Sequence, residues 1–375
     1  MRNADLTALT DMLRQQNARK HDVVASASTI HAATSDEHGI ILFVEGGEPV
    51  GVDADGTIVT DFLRVAPNDV MDDGLSSRLG IPRAYYRRMR TDAPVLLVES
   101  LNTWLDELGD QPQLLRTFRS DEGNTAIGRA FLSDRFECID NFDVVLGVLD
   151  GVRSAAPGAE VSGCDMTDKK MRLRITAPEI AVNVADLVRD YGVYGRKGSD
   201  FPMMWAGIAV ENSEVGAGAF TLTPRAVLQV CTNGMTRSVD AVRRVHLGSR
   251  MEEGVVNWST ETRRAQVELI RNQARDAVAT FLNPDYLQTF ADAMRNAAGL
   301  QVAQPARAVQ YVAQALGYGE EDADSILAHF YRSGDNSALG LAQAITLNAQ
   351  SLDSDRAADA EDQALDLALV AAATA

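Results

Sequence analysis

The chain has 375 residues, of which 46% are hydrophobic and 23% charged, and this composition excludes the disordered and fibrous classes. Its 35 basic and 53 acidic residues give a net charge of −18, which opposes nonspecific attraction to nucleic acid. No apolar run approaches the roughly 18 residues that span a membrane, and the polar opening lacks the apolar core of a signal peptide. We therefore expect a cytoplasmic protein with no membrane contact.

Residues 1–112 predict a mixed region of helices and strands. An amphipathic helix opens the chain, and an apolar run at 40–44 is typical of a strand. The run Asp53–Gly56 indicates a hairpin turn, because it lacks the bidentate glutamate that closes a calcium loop.

The segment LGIPRAYYRRM, residues 79–89, predicts a helix with an unusual composition. Arg83, Arg87 and Arg88 lie within about two turns, on either side of Tyr85 and Tyr86 in the sequence. Cations that neutralise phosphates and rings that stack on bases are what a platform for single-stranded nucleic acid needs. In the alternative interpretation, the tyrosines face the core and the arginines stay in water or pair with nearby carboxylates.

Residues 113–290 predict a central α+β core. The run Met171–Ile175 alternates, so that Arg172 and Arg174 share one face of a strand and the apolar residues share the other. This pattern predicts a sheet with an apolar side and a basic side. A long amphipathic helix should begin near Ser259 or Thr260.

The sequence of the last hundred residues predicts helices, and this region carries most of the chain's net negative charge. Residues 276–375 hold four basic and 14 acidic side chains. Residues 300–352 predict three short helices that end near glycines such as Gly317 and Gly334, and residues 353–375 form an acidic, alanine-rich tail. The fold class predicted is α+β, with a central antiparallel sheet packed by helices and a C-terminal all-helical region.

Catalytic and metal-binding patterns are weak in this sequence. Three widely spaced cysteines favour neither a disulfide framework nor a metal site. Two enzyme hypotheses stay open, a metal site at His31, Asp36 and His38, and a triad of Ser133 and Asp134 with a distant histidine. We expect no cofactor, no metal and no catalytic residue. The sequence leaves enzyme activity open and favours a protein that is not an enzyme.

Two groups of polar residues form the most motif-like part of the chain. One group follows the strand-like RAFLS run, and the other punctuates residues 203–237. Their members are Ser133, Asp134, Asp140, Asn141, Asn212, Ser213, Gly216, Cys231, Asn233 and Gly234. Asparagine and glycine at such points suit tight turns at strand ends.

With the LGIPRAYYRRM helix and the late GLAQAIT helix, these motifs resemble domain-of-unknown-function family 932, whose members are encoded by phages and plasmids. Glu214 and Val215 stand where many relatives carry histidine and aspartate, so no catalytic role carries over. The resemblance implies a mobile-element protein, in the host cytoplasm if a phage encodes it, acting among recombination or replication functions.

The function predicted is binding or annealing of single-stranded DNA without ATP, by a protein that forms homo-oligomers. No G-x-x-x-x-G-K-[ST] motif is present to bind a nucleotide. The alternative is a noncatalytic phage protein that binds a host protein through its acidic surface. The predicted nucleic-acid-binding residues are Arg83, Tyr85, Tyr86, Arg87, Arg88, Arg135, Lys169, Lys170, Arg172, Arg174, Arg196, Lys197, Arg225 and Arg237.

Overall fold

The fold comes from a computed structural model. The structure describes residues 4–45, 49–52, 58–60, 62–120, 125–189, 192–193, 196–229, 234–236, 242–244, 254–255 and 259–374.

A seven-stranded mixed sheet dominates the first part of the chain. Its strands are β1 (Lys20–Ser26), β2 (Ile30–Ser35), β3 (Gly39–Val44), β6 (Leu63–Pro67), β7 (Pro112–Phe118), β8 (Thr125–Ser133) and β17 (Gly254–Val255). Their order is β17-β1-β7-β8-β6-β3-β2, with β6 parallel to β8 and the other neighbours antiparallel. Between β3 and β6 in sequence, β4 (Pro49–Val52) pairs with β5 (Ile58–Thr60).

Three helices cover one face of this sheet. They are α2 (Asp69–Arg78), α3 (Arg83–Asp92) and α4 (Pro94–Leu108). The Asn68 side chain caps α2 by accepting the backbone N–H groups of Val70 and Met71 at 3.1 and 3.0 Å. Alternate residues of β2, β3 and β6 point at these helices and share a buried apolar core with them.

A second sheet of six strands is antiparallel throughout. Its strands are β9 (Glu160–Met166), β10 (Met171–Asn183), β13 (Met203–Asn212), β14 (Phe220–Leu228), β15 (Gly234–Thr236) and β16 (Val242–Arg244). The order is β15-β14-β13-β10-β9, and β16 also pairs with β14. Helix α6 (Ala185–Val188) and the short pair β11 (Gly192–Val193) and β12 (Arg196–Lys197) lie between β10 and β13 in sequence.

Helices surround the second sheet and continue to the end of the described chain. Helices α1 (Leu6–Arg19), α5 (Asn141–Ala155) and α7 (Thr260–Phe281) pack against it or against one another. The C-terminal helices are α8 (Pro284–Ala298), α9 (Pro305–Leu316), α10 (Glu320–Ser333), α11 (Ala338–Ala349) and α12 (Ser354–Thr374). One apolar core joins them to the second sheet, and α11 is buried along nearly its whole length.

The predicted fold class is confirmed, with an antiparallel sheet, packing helices and a C-terminal helical region. Ser259 caps α7, with its Oγ accepting the N–H of Thr262 at 3.1 Å. Gly317 and Gly334 end their helices in the left-handed region, at φ of 67° and 73°. The acidic tail forms α12.

The predicted domain boundaries stay predictions. The one between residues 112 and 113 falls at the start of β7, which pairs with β1 and with β8 in a single sheet. The predicted turn at 53–56 lies outside the described residues.

Two glycines let α5 and α7 cross at close range. A Cβ on Gly147 would come within 2.8 Å of the Ile270 Cγ2 atom, and one on Gly151 within 2.6 Å of the Arg271 carbonyl oxygen. Since real Cβ atoms do not approach backbone so closely, the helix backbones must separate if either glycine is replaced.

We expect Gly151→Ala to lower the free energy of unfolding by about 1–3 kcal/mol, because the added methyl group overpacks the crossing. Alanine at an open helix position would act in the opposite direction, by about 0.5–1 kcal/mol. Urea denaturation measures the sign. Ser154→Ala, exposed on the same helix, is the control and should stay within about 0.5 kcal/mol of the wild type. A stabilised Gly151→Ala protein would contradict the close crossing.

Candidate nucleic-acid interface

The two adjacent tyrosines of helix α3 lie in different environments. Tyr86 and Met89 are buried, whereas Tyr85 is exposed, as are Arg83, Arg87 and Arg88. The alternative interpretation of this helix is therefore right for Tyr86 and for the arginines, which stay at the surface and pair with carboxylates, and wrong for Tyr85. Of the two rings in the predicted platform, only Tyr85 is available to a ligand.

Helix α4, which follows α3 in the chain, exposes apolar side chains of its own. Leu96, Ser100 and Trp104 recur every four residues and so share one face of α4. The Ser100 hydroxyl lies 3.9 Å from the Met89 sulfur atom, which fixes where this face meets α3. Tyr85 is one turn before Met89, and Trp104 is one turn after Ser100. We call Tyr85, Arg88, Leu96 and Trp104 the α3–α4 surface.

The exposed arginines of α3 have carboxylate partners at the surface. Asp73 pairs with both Arg83 and Arg87, and the Arg88 Nε atom lies 3.8 Å from Asp92. One carboxylate between two guanidinium groups leaves positive charge uncompensated. Exposed pairs of this kind contribute little free energy, so a phosphate group can replace them.

A buried polar cluster anchors α3 to α2. The Tyr86 hydroxyl donates to Asp72 at 2.8 Å, and the Arg90 Nε atom lies 2.9 Å from the same carboxylate. Burial raises the pKa of Asp72 to about 6, although Arg90 and Tyr86 act to lower it. Burial, followed by the Asp72 charge, raises the pKa of Tyr86, which stays a phenol that donates.

The second sheet buries the basic side that the sequence predicts, and the expectation of an open basic face is wrong for three arginines. Arg172, Arg174 and Arg225 are 4%, 8% and 6% exposed. Arg174 lies 2.6 Å from Asp165 on the neighbouring strand, and Arg172 contacts carboxylates of β13 and α12. Alternation correctly placed Arg172 and Arg174 on one face, but carboxylates cover them.

The remaining basic residues of the prediction are scattered. Arg135, Lys169 and Lys197 are exposed and Lys170 is half-buried. Arg196 lies 4.1 Å over the Phe201 ring and donates to the Gln229 carbonyl oxygen. Arg237 lies outside the described residues.

The polar motifs meet at the junction of the two sheets. The Asn212 amide donates to the Ile139 carbonyl at 2.9 Å and to the Asn141 side chain at 2.8 Å, and the Asn141 N–H donates to Glu214 at 2.7 Å. Asp140 precedes α5 and binds cations of the first sheet. The motif groups thus join loops that are more than 70 residues apart in sequence.

The other motif residues shape the loop after β13. The Ser213 hydroxyl donates to the Lys169 carbonyl and accepts the Ala217 N–H. Gly216 has φ 79° and packs against Leu132, a position that favours glycine. Ser133 is half-buried, Asp134 is buried, and Gly234 begins β15. Cys231 and Asn233 lie outside the described residues.

Charged side chains that sequence reasoning missed complete this junction. We call Lys20, Asp22, Arg116, Arg129, Asp140 and Glu214 the junction network, which holds three cations and three carboxylates. Arg116 and Arg129 are the single charges of the otherwise uncharged strands β7 and β8. That pattern is the signal by which they could have been found, because a lone charge in a buried strand requires a partner.

Arg116 is the centre of this network and has no contact with solvent. Its Nε donates to Asp22 at 3.0 Å, Nη2 to Asp140 at 2.7 Å, and Nη1 to the Glu214 carbonyl oxygen at 2.8 Å. Burial would raise the pKa of Asp140, but Arg116 and Lys20 hold it well below its usual range. Arg129 pairs with Glu214 and lies 3.9 Å over the Phe118 ring.

Neither enzyme hypothesis gains a site among the residues that the structure describes. No group of three metal-ligating side chains occurs in that part of the chain. Burial raises the pKa of the Cys138 and Cys164 thiols to about 11, which disfavours the nucleophilic thiolate. The histidine of the hypothetical triad, His246, lies outside the described residues.

No protein-family model matches the chain, and neither a curated protein nor a solved structure does. The resemblance to family 932 therefore stays an expectation from its motifs. Among the helices described, none is long and apolar enough to cross a membrane.

We expect Arg116→Met to lower the free energy of unfolding by about 3–5 kcal/mol, because Asp22 and Asp140 would stay buried without their cation. Urea denaturation measures this loss. The control is Arg14→Met, which removes an exposed guanidinium paired with Asp11 and should change stability by less than about 0.5 kcal/mol. A loss below about 1 kcal/mol for Arg116→Met would show that the network does not hold the junction.

We expect the Asp72 carboxyl to titrate at about pH 6, against 3.8 in the unfolded chain. The folded state binds this proton more tightly, so the stability it contributes is complete below pH 4 and is lost as the pH rises through 6. Carbon-13 NMR of the carboxyl gives the pKa directly. In Asp72→Asn, the stability between pH 4 and 6 should fall less steeply with rising pH, whereas Asp92→Asn is the control for one lost charge. Titration of Asp72 near pH 4 would contradict its burial.

Proposed function

We propose that the protein binds single-stranded DNA without ATP, through the α3–α4 surface. The observation that carries this proposal is the exposure of an aromatic ring on each of two consecutive helices, with Arg88 one turn from Tyr85 on α3. Tyr85 is 49% exposed and Trp104 47%, and Leu96 between them in sequence is 43% exposed. Apolar side chains exposed together in this way favour an interaction site.

The aromatic side chains supply contacts that do not depend on base sequence. Every base has a π-face, and a stacked base contributes about 1–3 kcal/mol to binding. Tyr85 and Trp104 each lie one turn beyond the contact of Met89 with Ser100, on neighbouring helices. Two bases of one strand could therefore stack on one surface.

The arginines supply contacts to the backbone of the strand. Arg83, Arg87 and Arg88 present planar guanidinium groups that bind phosphate with two parallel hydrogen bonds. Their present partners are the exposed or partly exposed carboxylates of Asp73 and Asp92. Phosphates can exchange with such partners at low cost, which reconciles local binding with a net charge of −18.

The motifs that resemble family 932 support a role in the recombination or replication of a phage or plasmid. Annealing would then follow from presenting unpaired bases of two strands on neighbouring protomers of a homo-oligomer. The absence of a phosphate-binding loop motif in the sequence agrees with a reaction that does not consume ATP.

The net charge supports a second candidate, a noncatalytic phage protein that binds a basic host protein. Glu320, Glu321 and Asp324 are exposed on α10 and contribute to an acidic C-terminal region. Such a surface would steer a basic partner toward the complex.

We expect Tyr85→Ala to weaken binding of a labelled single-stranded oligonucleotide at least fivefold, which corresponds to about 1 kcal/mol for one lost stack. Arg88→Gln should reduce the slope of log Kd against log salt by about 0.7 for one lost phosphate contact. Fluorescence anisotropy measures both, with duplex DNA as the competitor. Tyr331→Ala and Arg332→Gln, an exposed tyrosine and arginine on α10, are the matched controls and should bind like the wild type.

The absence of binding to single strands at low salt would overturn the proposal and favour the host-protein candidate. Equal losses in the α3 variants and the α10 controls would remove the α3–α4 surface as the site.

A further inference from the structure

Helix α12 carries a row of carboxylates along one side. Asp355, Asp359 and Asp362 follow one another at intervals of four and three residues, so they share one face of the helix. Ala360, Ala364 and Ala368 lie on the opposite face and are buried. We call the three aspartates the acidic stripe.

The acidic stripe meets the hairpin of β9 and β10 at its two ends. Asp355 accepts the Thr167 hydroxyl at 3.2 Å, and Asp362 accepts the Arg172 Nη2 at 2.9 Å. Asp359, between these two residues on α12, is exposed; partial loss of its hydration raises its pKa, and the Lys170 charge opposes that rise. The hairpin residues in the row, Thr167, Lys170 and Arg172, carry two positive charges and a hydroxyl donor.

Arg172 is only partly satisfied by this arrangement. Its Nη2 makes a hydrogen bond, whereas Nη1 and Nε are buried without one. The Nε atom lies 3.4 Å from Glu211 and Nη2 lies 3.6 Å from Glu361 on α12, and neither contact has the geometry of a hydrogen bond. A buried guanidinium favours an anion that engages several of its nitrogens at once, as the oxygens of a phosphate group can.

The contact of α12 with the hairpin is separate from its packing in the helical region. The buried alanine face belongs to the C-terminal apolar core, where α12 packs on α9 and α11. The stripe is on the other side and touches the hairpin through polar side chains. Since α12 also contacts β15 of the second sheet, a strand at the hairpin must displace the carboxylate side chains and leave the helix in place.

We propose that Thr167, Lys170 and Arg172 form a second binding site for the phosphodiester backbone, which the acidic stripe occupies in the absence of a strand. This site rests on the proposed binding of single-stranded DNA and adds its regulation. The carboxylates stand where phosphates bind, one helical turn or about 5.4 Å apart. A strand held at the α3–α4 surface or elsewhere must displace them, which lowers its apparent affinity.

The test compares two variants with the same change in charge. In one, the stripe is neutralised by Asp355→Asn, Asp359→Asn and Asp362→Asn. In the other, the exposed α10 carboxylates are neutralised by Glu320→Gln, Glu321→Gln and Asp324→Asn. Each changes the net charge by three, from −18 to −15, so any effect of overall charge is common to both. Far-UV circular dichroism first checks that both are folded.

We expect the stripe variant to bind labelled oligo-dT at least tenfold more tightly than the α10 variant by fluorescence anisotropy. Its slope of log Kd against log salt should be steeper by about 1.4, for two phosphate contacts at about 0.7 each. Adding Lys170→Gln to the stripe variant should remove about half of this extra slope.

Equal affinities of the two triple variants, with a wild type that binds, would overturn the occupied site and leave the proposed function standing. If no variant binds, the proposed function and this site both fail. If adding Lys170→Gln leaves the increase in affinity and in salt slope unchanged, the assignment to this hairpin is also overturned.

Discussion

The rest of the structure depends on the burial of one guanidinium group. Arg116 has no contact with water, and a buried cation is tolerated only when every donor has an acceptor and its charge is balanced. The acceptors come from β1, from the residue before α5 and from the loop after β13. Because these acceptors belong to both sheets, their hydrogen bonds with Arg116 hold the two sheets at one relative position.

The same rule explains how arginines are distributed in an acidic protein. Arginines in the strands pair with carboxylates inside the fold, at Asp165 for Arg174 and at Glu214 for Arg129. The exposed arginines of α3 pair with carboxylates at the surface, where solvent screens the attraction and exchange with another anion costs little. The excess of negative charge therefore does not by itself decide whether phosphate can bind. What decides it is which cations remain at the surface.

Several features could be predicted from the residues and others could not. The sequence predicted a helix at residues 79–89, but the periodicity of that helix did not show that Tyr85 is exposed and Tyr86 buried. The burial of Tyr86 depends on its hydrogen bond to the carboxylate of Asp72. It also predicted that Arg172 and Arg174 share a face. It did not predict their burial, because the carboxylate that covers Arg172 lies 190 residues later in the chain. It gave no indication of the partners of Arg116, because Asp22, Asp140 and the Glu214 carbonyl lie 94, 24 and 98 residues away in the chain.

The sequence by itself determined the elements whose causes are local. The Ser259 cap of α7, the left-handed glycines Gly317 and Gly334, and the alternation in Met171–Ile175 each depend on contacts within a few residues. Only the tertiary structure decided which charges meet, which ring of α3 faces solvent and what covers the arginines of the second sheet. Coulomb energy and desolvation depend on distances through space and on burial, and a sequence contains neither until the chain is folded.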